Sequence, residues 1–136
     1  MRYIFFTILI LCSVYSQNNY ELKLYEKIIT SLYPNKFIKI YATSEIIAIL
    51  KNTDKFILVD SCSANVELLI GKNFINLPFE CRDKPIFSTN YRYYNKTDNS
   101  FGAFYWRKGR PQIRFKKDVL SKYEINLPAN LQKYAK

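Results

Sequence analysis

Residues 37–59 read FIKIYATSEIIAILKNTDKFILV, and this stretch decides the fold class. Phe37 to Tyr41 predicts a short strand. Thr43 and Ser44 then offer N-cap side chains for a helix from Ser44 to Lys51, with Ile46, Ile47 and Leu50 on its inner side. Asn52 closes it. Phe56 to Val59 is a continuous apolar run, the pattern of a strand buried on both faces. Strand, helix and buried strand in this order predict a parallel βαβ unit, because parallel neighbours need a crossover connection.

The same texture extends to either side. Upstream, Leu24, Tyr25, Ile28, Ile29 and Leu32 fall at the spacing of one helical face, and Pro34 and Asn35 end that helix. Downstream, Val66 to Ile70 and Pro85 to Phe87 read as two more strands, with at most one helical turn between Asp60 and Val66. The last third differs. Gly102 to Arg107 and Pro111 to Phe115 are strand-like and flank Lys108-Gly109-Arg110, where Gly109 supplies the positive φ of a hairpin turn. Phe104, Trp106, Ile113 and Phe115 are expected on the core face of the hairpin. Tyr105, Arg107, Gln112 and Arg114 are expected toward solvent or a partner. Lys117-Asp118 opens a short helix with Val119, Leu120 and Tyr123, and Pro128 opens a final helix anchored by Leu131 and Tyr134. The whole predicts a single α/β, Rossmann-like three-layer domain. Its sheet would be mainly parallel, with a C-terminal β-hairpin and terminal helices.

The first sixteen residues have the anatomy of a cleavable secretory signal. Arg2 precedes an apolar run from Tyr3 to Val14, and Val14 and Ser16 supply the small side chains that a signal peptidase accepts. A membrane span needs roughly 20 apolar residues, and this run is shorter. Leu11 before Cys12 departs from the small residue that lipoprotein signals carry. Residues 17–136 are therefore expected to work in the periplasm as one domain. Cleavage would leave Cys62 and Cys81, an even pair in an oxidising space, for which a disulfide is the natural reading. A closed loop of about 20 residues contributes about 3 kcal/mol in the chain-entropy model. Two buried free thiols are the alternative.

No histidine occurs anywhere in the chain. That removes Ser-His-Asp and Cys-His catalysis and the commonest metal ligand. Gly71, Gly102 and Gly109 are the only glycines and lie too far apart for a phosphate-cradling loop or a dinucleotide fingerprint. Carboxylates are few and scattered. The expectation is a protein that is not an enzyme, with no catalytic residues, no metal and no cofactor.

Charge is divided unevenly. Seven lysines and seven acids cancel between Gln17 and Cys81, whereas thirteen Lys/Arg face four acids between Arg82 and Lys136. Outside the cytoplasm such a field suits acidic protein surfaces, anionic lipid headgroups or acidic envelope polymers rather than nucleic acid. Two candidate surfaces follow. In open α/β sheets ligands gather beyond the carboxyl ends of the strands, which places Asp60, Ser61, Lys72, Ser88, Thr89 and Asn90 around a crevice for a small ligand or a partner loop. Strand-to-loop junctions are polar in any case. Arg107, Lys108, Arg110 and Arg114 would make the hairpin a cationic partner surface, although edge strands also carry such charges to prevent aggregation. Tyr91-Arg92-Tyr93-Tyr94 sets stacked aromatics beside a cation, a combination that can bind nucleobases or sugars, although such a run is more often a half-buried turn against the core. Asn95-Lys96-Thr97 fits a glycosylation acceptor pattern.

Gly102-Ala-Phe-Tyr-Trp106, a charged turn, Ile113-Arg-Phe115, a helix, Ile125-Asn-Leu-Pro128 and a closing Leu131 to Ala135 together resemble the end of the YfiR-like family of bacterial periplasmic regulatory proteins. Tyr33-Pro34 falls where that family carries an aromatic–proline pair. Ala103 replaces the family's second glycine, and Lys116-Lys117 stand where it has an asparagine. The resemblance implies a Rossmann-like fold without cofactor. It also implies a regulator that binds the extracytoplasmic domain of a membrane-anchored sensor or signalling enzyme, such as a diguanylate cyclase or sensor kinase. Two other readings of the residues stand beside it: a small periplasmic solute-binding module using the strand-end crevice, and a cationic envelope-binding protein.

Overall fold

The structure, a computed structural model, describes residues 19–136. The export signal read in residues 1–16 lies outside them. Six strands form one sheet: β1 (Lys39–Ala42), β2 (Ile57–Leu58), β3 (Leu68–Gly71), β4 (Ile86–Ser88), β5 (Ser100–Arg107) and β6 (Arg110–Phe115). Their spatial order is β2-β1-β3-β4-β5-β6. The first five are parallel and only β6 runs antiparallel. The domain is the Rossmann-like α/β architecture expected from the sequence, a mainly parallel sheet with a C-terminal hairpin and flanking helices. Helices α1 (19–32), α2 (Ser44–Leu50), α3 (Tyr91–Lys96) and α4 (Lys117–Lys122) flank the sheet, with 3₁₀ turns at Phe79–Cys81 and Ala129–Tyr134. Among the described residues, no helix is long and apolar enough to cross a membrane.

Alternation along the central strands divides the interior. Ile40, Ala42, Leu68, Ile70 and Phe87 point to one face, where Tyr25, Ile28 and Ile29 of α1, Ile46 and Leu50 of α2, and Val119 and Leu120 of α4 cover them. Leu69 and Ile86 point to the other, where Cys62, Val66 and Cys81 meet them. The second face has little helix. Over Leu69 and Ile86 its cover is the chain over 59–66 and 72–85, tied by a disulfide between Cys62 and Cys81 with Cα atoms 6.2 Å apart. Toward β5 it is α3, whose Tyr94 packs with Ala103 and Tyr105. Polar ties secure the same layer. Lys84 Nζ donates to the Ala64 carbonyl (2.9 Å), Asn99 Nδ2 to the Lys84 carbonyl (2.6 Å), and the Tyr123 hydroxyl to the Asp83 carbonyl (2.7 Å).

Several expectations are corrected. The Phe56–Val59 run is not a strand buried on both faces. Among the described residues β2 is the outermost strand, two residues long, and no further strand covers Ile57, which is 44% exposed. Thr43 occupies the N-cap of α2, but its hydroxyl donates to Glu45 Oε1 (2.6 Å) and makes no cap bond. Tyr91–Tyr94 opens a helix rather than a turn, since Asn90 Oδ1 accepts the Tyr93 N–H (3.0 Å) and caps α3. Because α3 crosses β5, Tyr105 is buried beside Tyr94 instead of facing solvent. Trp106, expected in the core, is 40% exposed and donates through Nε1 to Glu21 of α1 (2.7 Å). The final helix is 3₁₀ rather than α.

A bulge sets the register between β4 and β5. Ile86 pairs with Ser100 and Phe87 with Gly102, so Phe101 is the extra residue and joins the helix-covered core. Phe87 there meets Phe101, Phe115 and Tyr25 with ring centroids 5.9, 6.2 and 6.2 Å away. Gly102 makes room for this cluster, because a Cβ at that position would stand 2.8 Å from Phe115 Cδ1 and 3.0 Å from Phe87 Cε2. Gly102→Ala is expected to destabilise the domain by about 1–3 kcal/mol, the usual cost of overpacking. Urea unfolding checks this; an unchanged midpoint would show that the rings yield freely.

Candidate functional site

Parallel strands β3 and β4 end at Gly71 and Ser88, and β5 runs on past them. Ser88 pairs with Ala103, so four further residues of β5 extend to Arg107. At roughly 3.3 Å per residue the hairpin stands about 13 Å beyond the end of β4. It thus walls the carboxyl end of the sheet, and Tyr105 packs against Tyr91 of α3 with centroids 5.2 Å apart.

At the switch point between β1 and β3, where doubly wound sheets usually open a crevice, the space is filled. A Cβ on Gly71 would lie 2.5 Å from Thr43 Cγ2 and 3.0 Å from Phe74 Cζ. Phe74 in turn packs on Tyr41 (6.1 Å) and Tyr93 (6.4 Å). The open space shifts toward β4 and α3. A concavity of about 350 Å³ is lined there by Lys72, Asn73, Asn90, Arg92, Tyr93 and Lys96. Three cations and two side-chain amides line it, with no carboxylate among them.

The crevice residues expected from the sequence separate. Lys72 and Asn90 line this concavity. Ser88 lies inside the structure, its hydroxyl 2.6 Å from that of Ser100. The Thr89 N–H donates to the Gly71 carbonyl (3.0 Å). Asp60 and Ser61 follow β2 at the far edge and are exposed. The sequence does not single out Lys96 as a site residue, and it offers Arg92 only within the aromatic run 91–94. Reading Asn90 as a cap would have found them, since a helix starting at Tyr91 places residues 92 and 96 one turn apart on one face. Two residues carry perturbed groups at the back of α3. Lys116 Nζ donates to the Tyr94 carbonyl (2.5 Å) and the Thr97 carbonyl (3.2 Å) and lies 4.5 Å from the Tyr94 ring centroid. Burial lowers the Lys116 pKa, with Asp118 and Asp98 opposing, and burial first of all pushes the Tyr94 phenol up to about 12.

The hairpin carries the second cluster. Arg107 and Arg110 are exposed and stand directly opposite each other across the strands, while Lys108 occupies the turn between them. Lys108 (φ 52°) and Gly109 (φ 75°) both adopt the left-handed conformation of a tight primed turn. Arg114 is half-buried, its guanidinium donating to the Ile113 carbonyl (3.1 Å). Among the described residues the ion pairs are Lys36–Glu67 and Lys55–Asp54, both outside these clusters. No group of three His, Cys, Asp or Glu side chains among them comes together to hold a metal ion.

Like charges directly opposite destabilise a ladder, and a left-handed lysine costs about 1–2 kcal/mol where asparagine is tolerated. Lys108→Asn should therefore stabilise the fold by about 1 kcal/mol. A higher urea midpoint for the variant is the expected result, and a lower one would contradict the turn assignment.

With the geometry of both clusters in view, comparison with known proteins adds no relative: the sequence matches no protein-family model and no curated protein.

Proposed function

We propose that this chain is an exported regulatory binding protein of the periplasm. In this reading it docks through its cationic hairpin on the acidic extracytoplasmic domain of a membrane-anchored signalling enzyme, a diguanylate cyclase or sensor kinase. The observation that carries the reading is the Arg107–Arg110 cross-strand pair with Lys108 between them, exposed and outside every ion pair among the described residues. A surface of this kind gains most when an acidic partner supplies the missing counter-charge. The Cys62–Cys81 disulfide supports an oxidising compartment. The resemblance of residues 101–135 to the YfiR-like regulators supports the choice of partner.

Immobilised protein incubated with detergent-solubilised membranes of the source cell should retain an integral membrane protein with an acidic extracytoplasmic domain. Charge reversal at Arg107, Lys108 and Arg110 should abolish that retention, as should raised salt. Retention unaffected by reversal would overturn the reading. Capture by protein-free anionic vesicles alone would replace it with the envelope-binding one.

A further inference from the structure

We infer that the concavity bounded by Lys72, Asn90, Arg92 and Lys96 is a binding site for a saccharide that carries an anionic group, a carboxylate or a phosphate. It is separate from the hairpin surface and does not depend on the partner contact proposed above.

The charge is the first argument. Arg92 and Lys96 stand at i and i+4 on α3, an arrangement that destabilises a helix by mutual repulsion. Lys72, at the end of β3, lines the same space, so three cations converge where no lining residue offsets them. Solvated lysines and arginines on a surface usually diverge; here the loop after β3 and the helix after β4 turn them toward one volume. Such a volume favours an anion.

Size and the remaining groups argue for a saccharide rather than a bare ion. About 350 Å³ is far more than a phosphate ion fills and suits one or two sugar rings. Asn73 and Asn90 bring amide groups that pair with hydroxyls. Asn90 uses its Oδ1 to cap α3 (3.0 Å to the Tyr93 nitrogen), which leaves its NH₂ free to donate. Tyr93 adds an aromatic side of the kind on which the apolar C–H face of a pyranose packs. Its ring is held in place by Phe74, which is itself held by Tyr41, so the wall exists before any ligand arrives.

Calorimetric titration of the oxidised protein with trigalacturonate, glucose 6-phosphate, maltotriose and inorganic phosphate tests the assignment. Binding of trigalacturonate or of glucose 6-phosphate is expected, weakening as salt rises, and the stronger of the two identifies the anionic group. Maltotriose and inorganic phosphate should bind at least about tenfold more weakly, since each lacks half of the recognised features. Arg92→Gln with Lys96→Gln should weaken the preferred ligand at least about tenfold. The same pair should leave the thermal midpoint unchanged or raised, because it removes a repulsion. Equal binding of maltotriose or of bare phosphate, no binding of either charged saccharide, or affinity unchanged in the double variant would each overturn the inference. Lys23→Gln, exposed on α1 over the opposite face of the sheet, keeps the titration interpretable and should leave saccharide affinity unchanged.

Discussion

The Cys62–Cys81 bridge is the constraint on which half of this structure depends. A parallel sheet needs cover on both faces, and the two faces here are covered in different ways. Helices α1, α2 and α4 bury one of them through a large apolar cluster. The other rests under α3 at β5 and under irregular chain elsewhere, where the buried set is small and two of its members are the bonded cysteines. Segments of this kind bury too little apolar surface to offset their own conformational entropy. A covalent tie across 19 residues removes much of that entropy from the unfolded chain. The Lys84, Asn99 and Tyr123 side chains then donate to backbone carbonyls of the tethered layer and hold it in place.

That layer also places the site. Phe74 belongs to the bridged loop, and it closes the switch point between β1 and β3 while bracing Tyr93. The space a doubly wound sheet would ordinarily offer at its switch point is thereby moved to the end of β4, among Lys72, Arg92 and Lys96. Both cationic clusters consequently lie at the carboxyl end of the sheet. Each contains an arrangement that costs stability: cross-strand arginines at 107 and 110, a left-handed Lys108, and cations one turn apart on α3. Local choices that oppose folding are expected where binding has shaped the surface rather than packing.

Much of this architecture is legible in the residues, for physical reasons that also explain the failures. The change from apolar runs to helical spacing between Phe37 and Val59 marks strand and helix, because each element buries its side chains with its own period. Cys62 and Cys81, the pair left once the first sixteen residues are read as an export signal, point to the bond that the structure contains. Strand order is another matter. Phe56–Val59 and Val66–Ile70 look alike in sequence, yet one is the exposed edge and the other is central, because neighbourhood in a sheet is a tertiary property. Tyr91–Tyr94 does not read as a helix because tyrosines are indifferent helix formers; the cap at Asn90 carries the signal. Among the crevice residues, Lys72 and Asn90 come together, while Ser88 still belongs to β4, a central strand buried on both faces, and pairs with the Ser100 hydroxyl. Asp60 and Ser61 are carried away with β2.

Amide hydrogen exchange on the oxidised and the fully reduced protein tests the dependence on the bridge most directly. Reduction is predicted to strip protection from 59–66 and 72–85 while β1, β3 and the helices over the opposite face keep theirs. Unchanged protection across 59–85 after complete reduction would contradict the account, since the second layer would then stand without its tie.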